Sequence, residues 1–266
     1  MARYWRRVAL FLCLVLTGPH LENSGAQEPR LPFGAGETLR YAVKWGLMPA
    51  GNAQLTVRPD RSAGLWRVVG TASSVGHVSN IYRVDDRYEA SFHNPTFCSQ
   101  GIHKVIREGD RSRDVKLEFN ARQRMGRLET RDPDGNLPPK VERLSIPDWV
   151  HDILSALYYA RAQALVVGKS FDFPLNDGAK TIQIRVEVQA EEEVQTEVGK
   201  FQAIRVEPAV FSGHLFAGPG RLQLWFSKDS QHIPLLLRAQ VEAGTITATL
   251  AGIEGSRRAL SAVPHF

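Results

Sequence analysis

One stretch of this chain, Ser145 to Ala164, carries the periodicity of a helix, and two long strand-rich halves flank it. Ile153, Leu154, Leu157, Tyr158 and Leu165 recur at spacings of one, three, four and seven, which is the apolar stripe of an amphipathic helix. Pro147 suits a first turn, and Asp148 and Asp152 favour the positive N-terminal end. Arg161 stands near the other end, and Gly168 with Lys169 marks the stop. The stripe is narrow, so one face has to lie on something apolar, and a sheet is the only partner the sequence offers. The helix therefore either packs a core or plugs a cavity in a curved sheet.

The flanking halves alternate with period two. Thr38 to Lys44, Ala53 to Arg58, Leu65 to Ser73, Ile81 to Phe92, Phe97 to Arg107, Asp114 to Asn120 and Gly126 to Thr130 read as strands before the helix. Turn signals separate them, among them Met48-Pro49-Ala50-Gly51, Asn94-Pro95 and Asp132-Pro133-Asp134-Gly135. Pro138-Pro139 begins an extended link to the helix. After Gly168 the pattern resumes in Ser170 to Phe173, Thr181 to Ala190, Glu193 to Val198, Phe201 to Phe211, Arg221 to Ser227, Ile233 to Gln240 and Thr245 to Leu250. Ile182, Ile184, Val186 and Val188 alternate with Gln183, Arg185 and Glu187, the mark of a strand with one wet face. The acidic run Glu191 to Glu193 reads as a solvated turn.

Composition bounds the partners. The 266 residues carry a formal charge of +5, and basic residues are mixed with acidic ones along the chain. Residues 1–26 read as a secretory signal: Arg3, Arg6 and Arg7 precede the apolar run Val8 to Leu16, and Ser24-Gly25-Ala26 offers small residues before a cut after Ala26. Losing three arginines and Glu22 with that segment lowers the charge to +3, too mild to point to nucleic acid. Arg6-Arg7 leaves Sec and twin-arginine export both open. Cys13 lacks small residues ahead of it, so no lipid attachment is expected. Cys98 then stands alone, with no disulfide possible, and reads as a buried small hydrophobe. The expected plan is a signal peptide over 1–26, one β-rich domain over 27–255 and a C-terminal tail over 256–266, located in the periplasm.

Motifs for chemistry are sparse. The chain has no Gly-x-Ser-x-Gly elbow, no Ser-x-x-Lys, no His-Glu-x-x-His and no phosphate-cradling loop. Asp132-Pro133-Asp134-Gly135-Asn136 lacks the later acidic ligand of a calcium loop and reads as a hairpin turn. Alternation puts Asp85 and Asp86 on opposite faces, with the inward one expected to pair with Arg83 or Arg87. His151 is expected at the surface or in a capping role. The other histidines, including His214 and His265, show no ligand spacing. No cofactor, no metal and no catalytic residue is expected. Aromatic residues spread over both halves either pack the core or line a cavity.

Several motifs together resemble a known family. Pro32-Phe33, Gly36-Glu37-x-Leu39-x-Tyr41, Trp45-Gly46 and Ala50-Gly51 resemble the opening of the domain-of-unknown-function 3108 family of exported bacterial proteins. Asp152-x-x-Ser155-Ala156-x-Tyr158-Tyr159-x-Arg161 resembles its central helix. Thr196-x-x-Gly199-x-Phe201, Gly220-x-Leu222-x-Leu224-Trp225-Phe226-Ser227-x-Asp229 with Pro234, and Gly244-x-Ile246 with Leu250 resemble its closing half. The resemblance runs from Phe33 to Leu250 and implies no activity, since the family has none assigned. Trp225-Phe226-Ser227-x-Asp229 and Pro234 are also similar to a strand-turn-strand of periplasmic lipoprotein carriers, which hold acyl chains in a half-open sheet.

The expected fold is mainly β: a strongly curved antiparallel sheet or partial barrel of about a dozen strands, with the central helix packed on its concave face. The expected role is binding of a lipid-like or amphipathic envelope molecule, with Leu154, Leu157, Tyr158, Tyr41, Trp45 and Trp225 as candidate contacts. The alternatives are a structural or interaction module of the envelope without ligand, with an envelope protein as partner, and a hydrolase or glycan-acting enzyme. Oligomeric state is left open.

Overall fold

The computed structural model describes residues 31–62, 64–133, 135–178, 180–210 and 220–255. The expected signal segment, Asp134, His214, His265 and the expected C-terminal tail lie outside the described residues.

Among the described residues fourteen strands form one sheet. Before the crossover come β1 (Thr38–Trp45), β2 (Met48–Pro59), β3 (Leu65–Ser74), β4 (Asp85–His93), β5 (Ser99–Glu108), β6 (Arg111–Asn120), β7 (Met125–Arg131) and β8 (Lys140–Ser145). After it come β9 (Ser170–Asn176), β10 (Thr181–Thr196), β11 (Gly199–Pro208), β12 (Arg221–Ser227), β13 (Pro234–Val241) and β14 (Gly244–Glu254). Helix α1 (Gly76–Ile81) links β3 to β4, and α2 (Ile153–Arg161) lies in the crossover. The order is β8-β7-β6-β5-β4-β3-β2-β1-β14-β13-β12-β11-β10-β9, antiparallel throughout. The first and last strands thus pair at the centre, and β8 and β9 are the two edges.

The crossover from β8 to β9 is held by backbone hydrogen bonds. Ile146 N donates to Arg124 O at 3.1 Å, and Ser99 N donates to Val150 O at 2.9 Å. On the far side His151 N donates to Pro174 O, and Asn176 N donates to His151 O, both at 2.9 Å. These bonds blunt edge strand β9 at one point. The two arms of the sheet also meet where Lys104 Nζ donates to Asp177 O and Oδ1, at 2.7 and 2.8 Å.

The helix begins where its sequence makes it begin. Asp152 Oδ1 accepts from Leu154 N and Ser155 N, and Ser155 Oγ accepts from Asp152 N, a reciprocal capping box. Leu154 and Tyr158 join a cluster with Phe33, Val68, Phe92 and Ile102, while Ala156 and Ala160 join one with Phe173, Ile184, Val206 and Phe226. Gly70 lets the helix approach: a Cβ there would stand 3.2 Å from Leu55 Cδ2 and 3.6 Å from Leu154 Cδ2. The other end is fixed by a fully buried ion pair. Arg161 Nη1 and Nη2 donate to the two Glu37 oxygens at 2.6 and 3.0 Å. Nη2 also donates to Pro32 O, and Nε to Gln231 O. The guanidinium lies 5.2 Å from the Tyr158 ring centroid and 5.6 Å from that of Phe33.

The sequence expectation of a curved antiparallel sheet with one covering helix holds, with local corrections. The helix is shorter than Ser145 to Ala164, because 146–151 must reach across the gap extended to bond β5 and β9. The Pro138-Pro139 link leads into a further strand, β8. Met48 to Gly51 belongs to β2, since a bulge opposite Val43 and Lys44 absorbs Ala50 and leaves Pro49 paired with Lys44. Glu191 to Glu193 is not a turn: β10 continues through it with a bulge between Val188 and Ala190, and the acids pair with Lys228, Arg205 and Lys200. Asp86 makes no ion pair; Oδ1 accepts from Arg107 N at 2.9 Å. Asp132 Oδ2 accepts from Asn136 N and Leu137 N, closing its turn.

Removing one partner of a buried pair strands the other charge. Arg161→Ala or Glu37→Gln should lower unfolding free energy by about 3–5 kcal/mol in urea titrations; a loss below about 1 kcal/mol, the range of an exposed pair, would contradict this role for the pair.

Candidate functional site

The helix does not fill the space inside the sheet. On the face formed by Ile153, Ala156, Leu157 and Ala160 lies a cavity of about 420 Å³, within the roughly 300–1,000 Å³ of typical ligand sites. Its wall follows from the pleat. Ala53 on β2 is paired with Tyr41, Leu237 on β13 with Ala248, and Leu224 on β12 with Val206, so these side chains share the inner face. Phe173, Ile184 and Val186 close the side toward β9. Among the lining residues only Tyr41, Gln54, Thr71 and Tyr88 carry polar side-chain atoms. The Tyr41 hydroxyl is engaged, donating to Pro234 O at 2.9 Å, and burial raises its pKa well above that of a free phenol.

The cavity has a closed and an open end. Along β14, Leu250 is fully buried, Ala248 half-buried and Ile246 exposed. Along β12, Phe226 is fully buried while Leu224 and Leu222 are half-buried. The closed end is where 31–37, Arg161 and the turn at Gln231–His232 meet. The open end is where β1 turns into β2 and β13 into β14. Exposed apolar side chains gather there: Leu47, 95% exposed, and Met48, 53%, where β1 turns into β2, and Ile81, 73%, at the end of α1. Such residues at a mouth are unusual unless something apolar meets them.

The six sequence candidates separate. Leu154, Leu157 and Tyr41 line the cavity. Tyr158 does not; it is fully buried on another side of the helix, with its ring 4.9 Å from Phe33 and 5.7 Å from Phe92 by centroids. Trp225 points away from Leu224 and Phe226, as alternation requires, into a cluster with Val194 and Phe201. Its indole N–H bonds Glu192, and the Arg238 guanidinium lies 5.4 Å from its ring. Trp45 sits beyond the mouth, donating from Nε1 to Ala243 O at 2.8 Å and stacked on Gly244. Tyr88 is one of the spread aromatic residues that the sequence left open between core and cavity, Ala156 entered only through the resemblance motif, and Ala160 was not singled out. For the two alanines the helical stripe was the only available signal, and small residues do not mark it strongly.

Several titratable groups inside the fold are buried. His151 is fully buried, contrary to the surface role expected, among Trp149, Tyr159 and Phe173. Neither ring nitrogen makes a well-formed hydrogen bond. Burial lowers its pKa to about 4, against a weaker opposing effect of the Phe97 carbonyl. Burial likewise raises the Asp152 carboxyl, opposed by hydrogen bonds from Ser99, Ser155 and Leu154. Cys98 is half-buried rather than buried.

A family model described as a protein of unknown function, DUF3108, matches residues 40–251. The chain belongs to this family. The sequence resemblance is thereby shown. No curated protein matches the chain. Among solved structures, the chain is similar to a β-barrel-like protein of the unknown-function family DUF1849 from Brucella abortus. The TM-score is 0.56 at 8% identity, covering 86% of this chain and 100% of that one. This likeness supports the barrel-like fold and nothing finer. Two further matches, a hypothetical protein from Chlamydia trachomatis at TM-score 0.37 and an exported protein of YmcC-like fold from Bacteroides fragilis at 0.35, are each 8% identical. They cover 87% and 85% of this chain, and 93% and 99% of their own, and at those scores carry no argument.

His151 gives the family member a defined acid response. With a folded pKa of about 4 against 6.5 unfolded, the unfolded chain binds the proton first as pH falls. Stability is therefore full above pH 6.5 and declines through pH 4, by about 3 kcal/mol in all. His151→Phe should flatten denaturant-measured stability across that window relative to the parent; an unchanged slope would show that His151 does not stay neutral.

Proposed function

We propose that this DUF3108 protein is an exported binding protein of the bacterial envelope that holds an apolar or amphipathic molecule in the cavity beside α2. The observation that carries the reading is the cavity itself: about 420 Å³, walled almost wholly by apolar side chains and open at one end. A fold needing only stability would fill that space, since protein interiors pack densely. Here the helix presents Ala156 and Ala160 to it, the smallest side chains that still favour a helix. Export is supported by Arg3, Arg6 and Arg7 ahead of the apolar run Val8 to Leu16 and by the small residues before Gln27. The mature chain then starts at Gln27 and works in the periplasm.

Leu157 separates binding from folding, because it lines the cavity while remaining half-buried. Titration with N-phenylnaphthylamine, fluorescent in apolar surroundings, should show one saturable site in the parent. Leu157→Glu should abolish it while costing about 1 kcal/mol or less in stability. Equal probe binding by the folded variant would contradict the reading.

A further inference from the structure

The cavity is apolar for most of its length, but one wall ends in polar groups. Tyr88 lines it from β4, facing inward in register with Gly70 on β3 and Lys104 on β5. Two residues toward the open end on the same face stands Asp86, 6% exposed, whose Oδ2 lies 3.5 Å from the Tyr88 hydroxyl. Lys104, 6% exposed, reaches across to Asp177 in the β9–β10 turn, two residues beyond Leu175, which itself lines the cavity. A phenol, two carboxylates and one ammonium therefore gather beside the apolar chamber, at its open side. Their functions are unequal. The Lys104 ammonium is already engaged by Asp177 through both a carboxylate and a carbonyl oxygen. Asp86 Oδ1 is held by Arg107 N, and its other oxygen has only the long contact to Tyr88.

Resting on the binding reading above, we propose that the occupant is a single-chain amphiphile whose polar head sits against Tyr88 and Asp86, and that this head is a hydrogen-bond donor, neutral or cationic, rather than an anion. The chain lies along Leu157, Val186 and Leu224. The head meets an acceptor-rich patch, with two carboxylates against one ammonium that is already paired. An ammonium head donates to Asp86 Oδ2 and to the Tyr88 oxygen, and an alcohol head donates to Asp86 Oδ2 while accepting from the Tyr88 hydroxyl. A carboxylate or phosphate head there faces Asp86, while the Lys104 ammonium is already held by Asp177, and like charges in a partly buried site repel strongly. Length and apolar character of the chain bring the ligand in; the Asp86 side decides which head is kept.

The experiment is displacement of N-phenylnaphthylamine from the full mature chain by dodecanol, dodecylamine and dodecanoate, each below its micellar concentration. The chain is the same in all three, so the head alone differs. Dodecanol and dodecylamine should displace the probe at concentrations about tenfold or more below dodecanoate, the discrimination expected of one hydrogen bond to a charged group. Asp86→Asn keeps the acceptor for Arg107 N and should reduce that preference to within about threefold. Tyr88→Phe, which leaves every backbone bond intact, should reduce it in the same direction. Asp85→Asn on the outward face is the control and should leave it unchanged. If dodecanoate competes as well as the other two in the parent, or the preference survives Asp86→Asn and Tyr88→Phe, the head assignment is wrong while the cavity reading stands. If the probe binds nowhere and none of the three amphiphiles is taken up, it is the cavity reading that fails.

Discussion

The pair of Arg161 with Glu37 fixes the relation between the helix and the sheet. The two residues are 124 positions apart and both fully buried. A guanidinium out of water needs its donors met, and here a carboxylate, two backbone carbonyls and two aromatic faces meet them. Because Glu37 leads into β1, and Gln231 precedes β13, one side chain ties the helix end to the central strands. His232 adds to this, its Nδ1 bonding Arg161 O at 2.7 Å. The capping box at Asp152 fixes the other end, where the crossover bonds β5 and β9. A helix held at both ends cannot sink further into the sheet, and the space left beside it is the cavity.

Much of this organisation is visible in sequence because it depends on period. Ile182 to Val188 has to be a half-buried strand, and Ile153 to Tyr158 has to lay a stripe on the sheet. The resemblance motifs were informative for a physical reason too. Glu37, Asp152, Ser155, Tyr158 and Arg161 are the residues that frame the helix, so a pattern built on them reports architecture more than ligand contacts. This is why Tyr158, chosen as a contact, turned out to belong to the core. Trp225 lies off the cavity for a simpler reason: parity with Leu224 and Phe226 was readable, but which parity faces inward was not.

The cavity was less legible. A void is a property of what does not meet across a sheet, and no local pattern encodes it. The shift of β10 by one bulge and the burial of His151 depend on pairings between residues far apart in the chain. Tyr88 and Asp86 look like any polar residues of a mixed strand until Lys104 and Asp177 are seen beside them. The proposed function therefore rests on tertiary placement of ordinary residues rather than on a motif.

The most direct measurement is native mass spectrometry, with organic extraction, on the chain recovered from the periplasm without detergent. The account predicts a mature mass beginning at Gln27 and one bound amphiphile per chain that extraction releases. An apo mass, with no adduct after exposure to envelope lipids or to dodecanol, would contradict it and leave a sheet whose cavity serves no ligand.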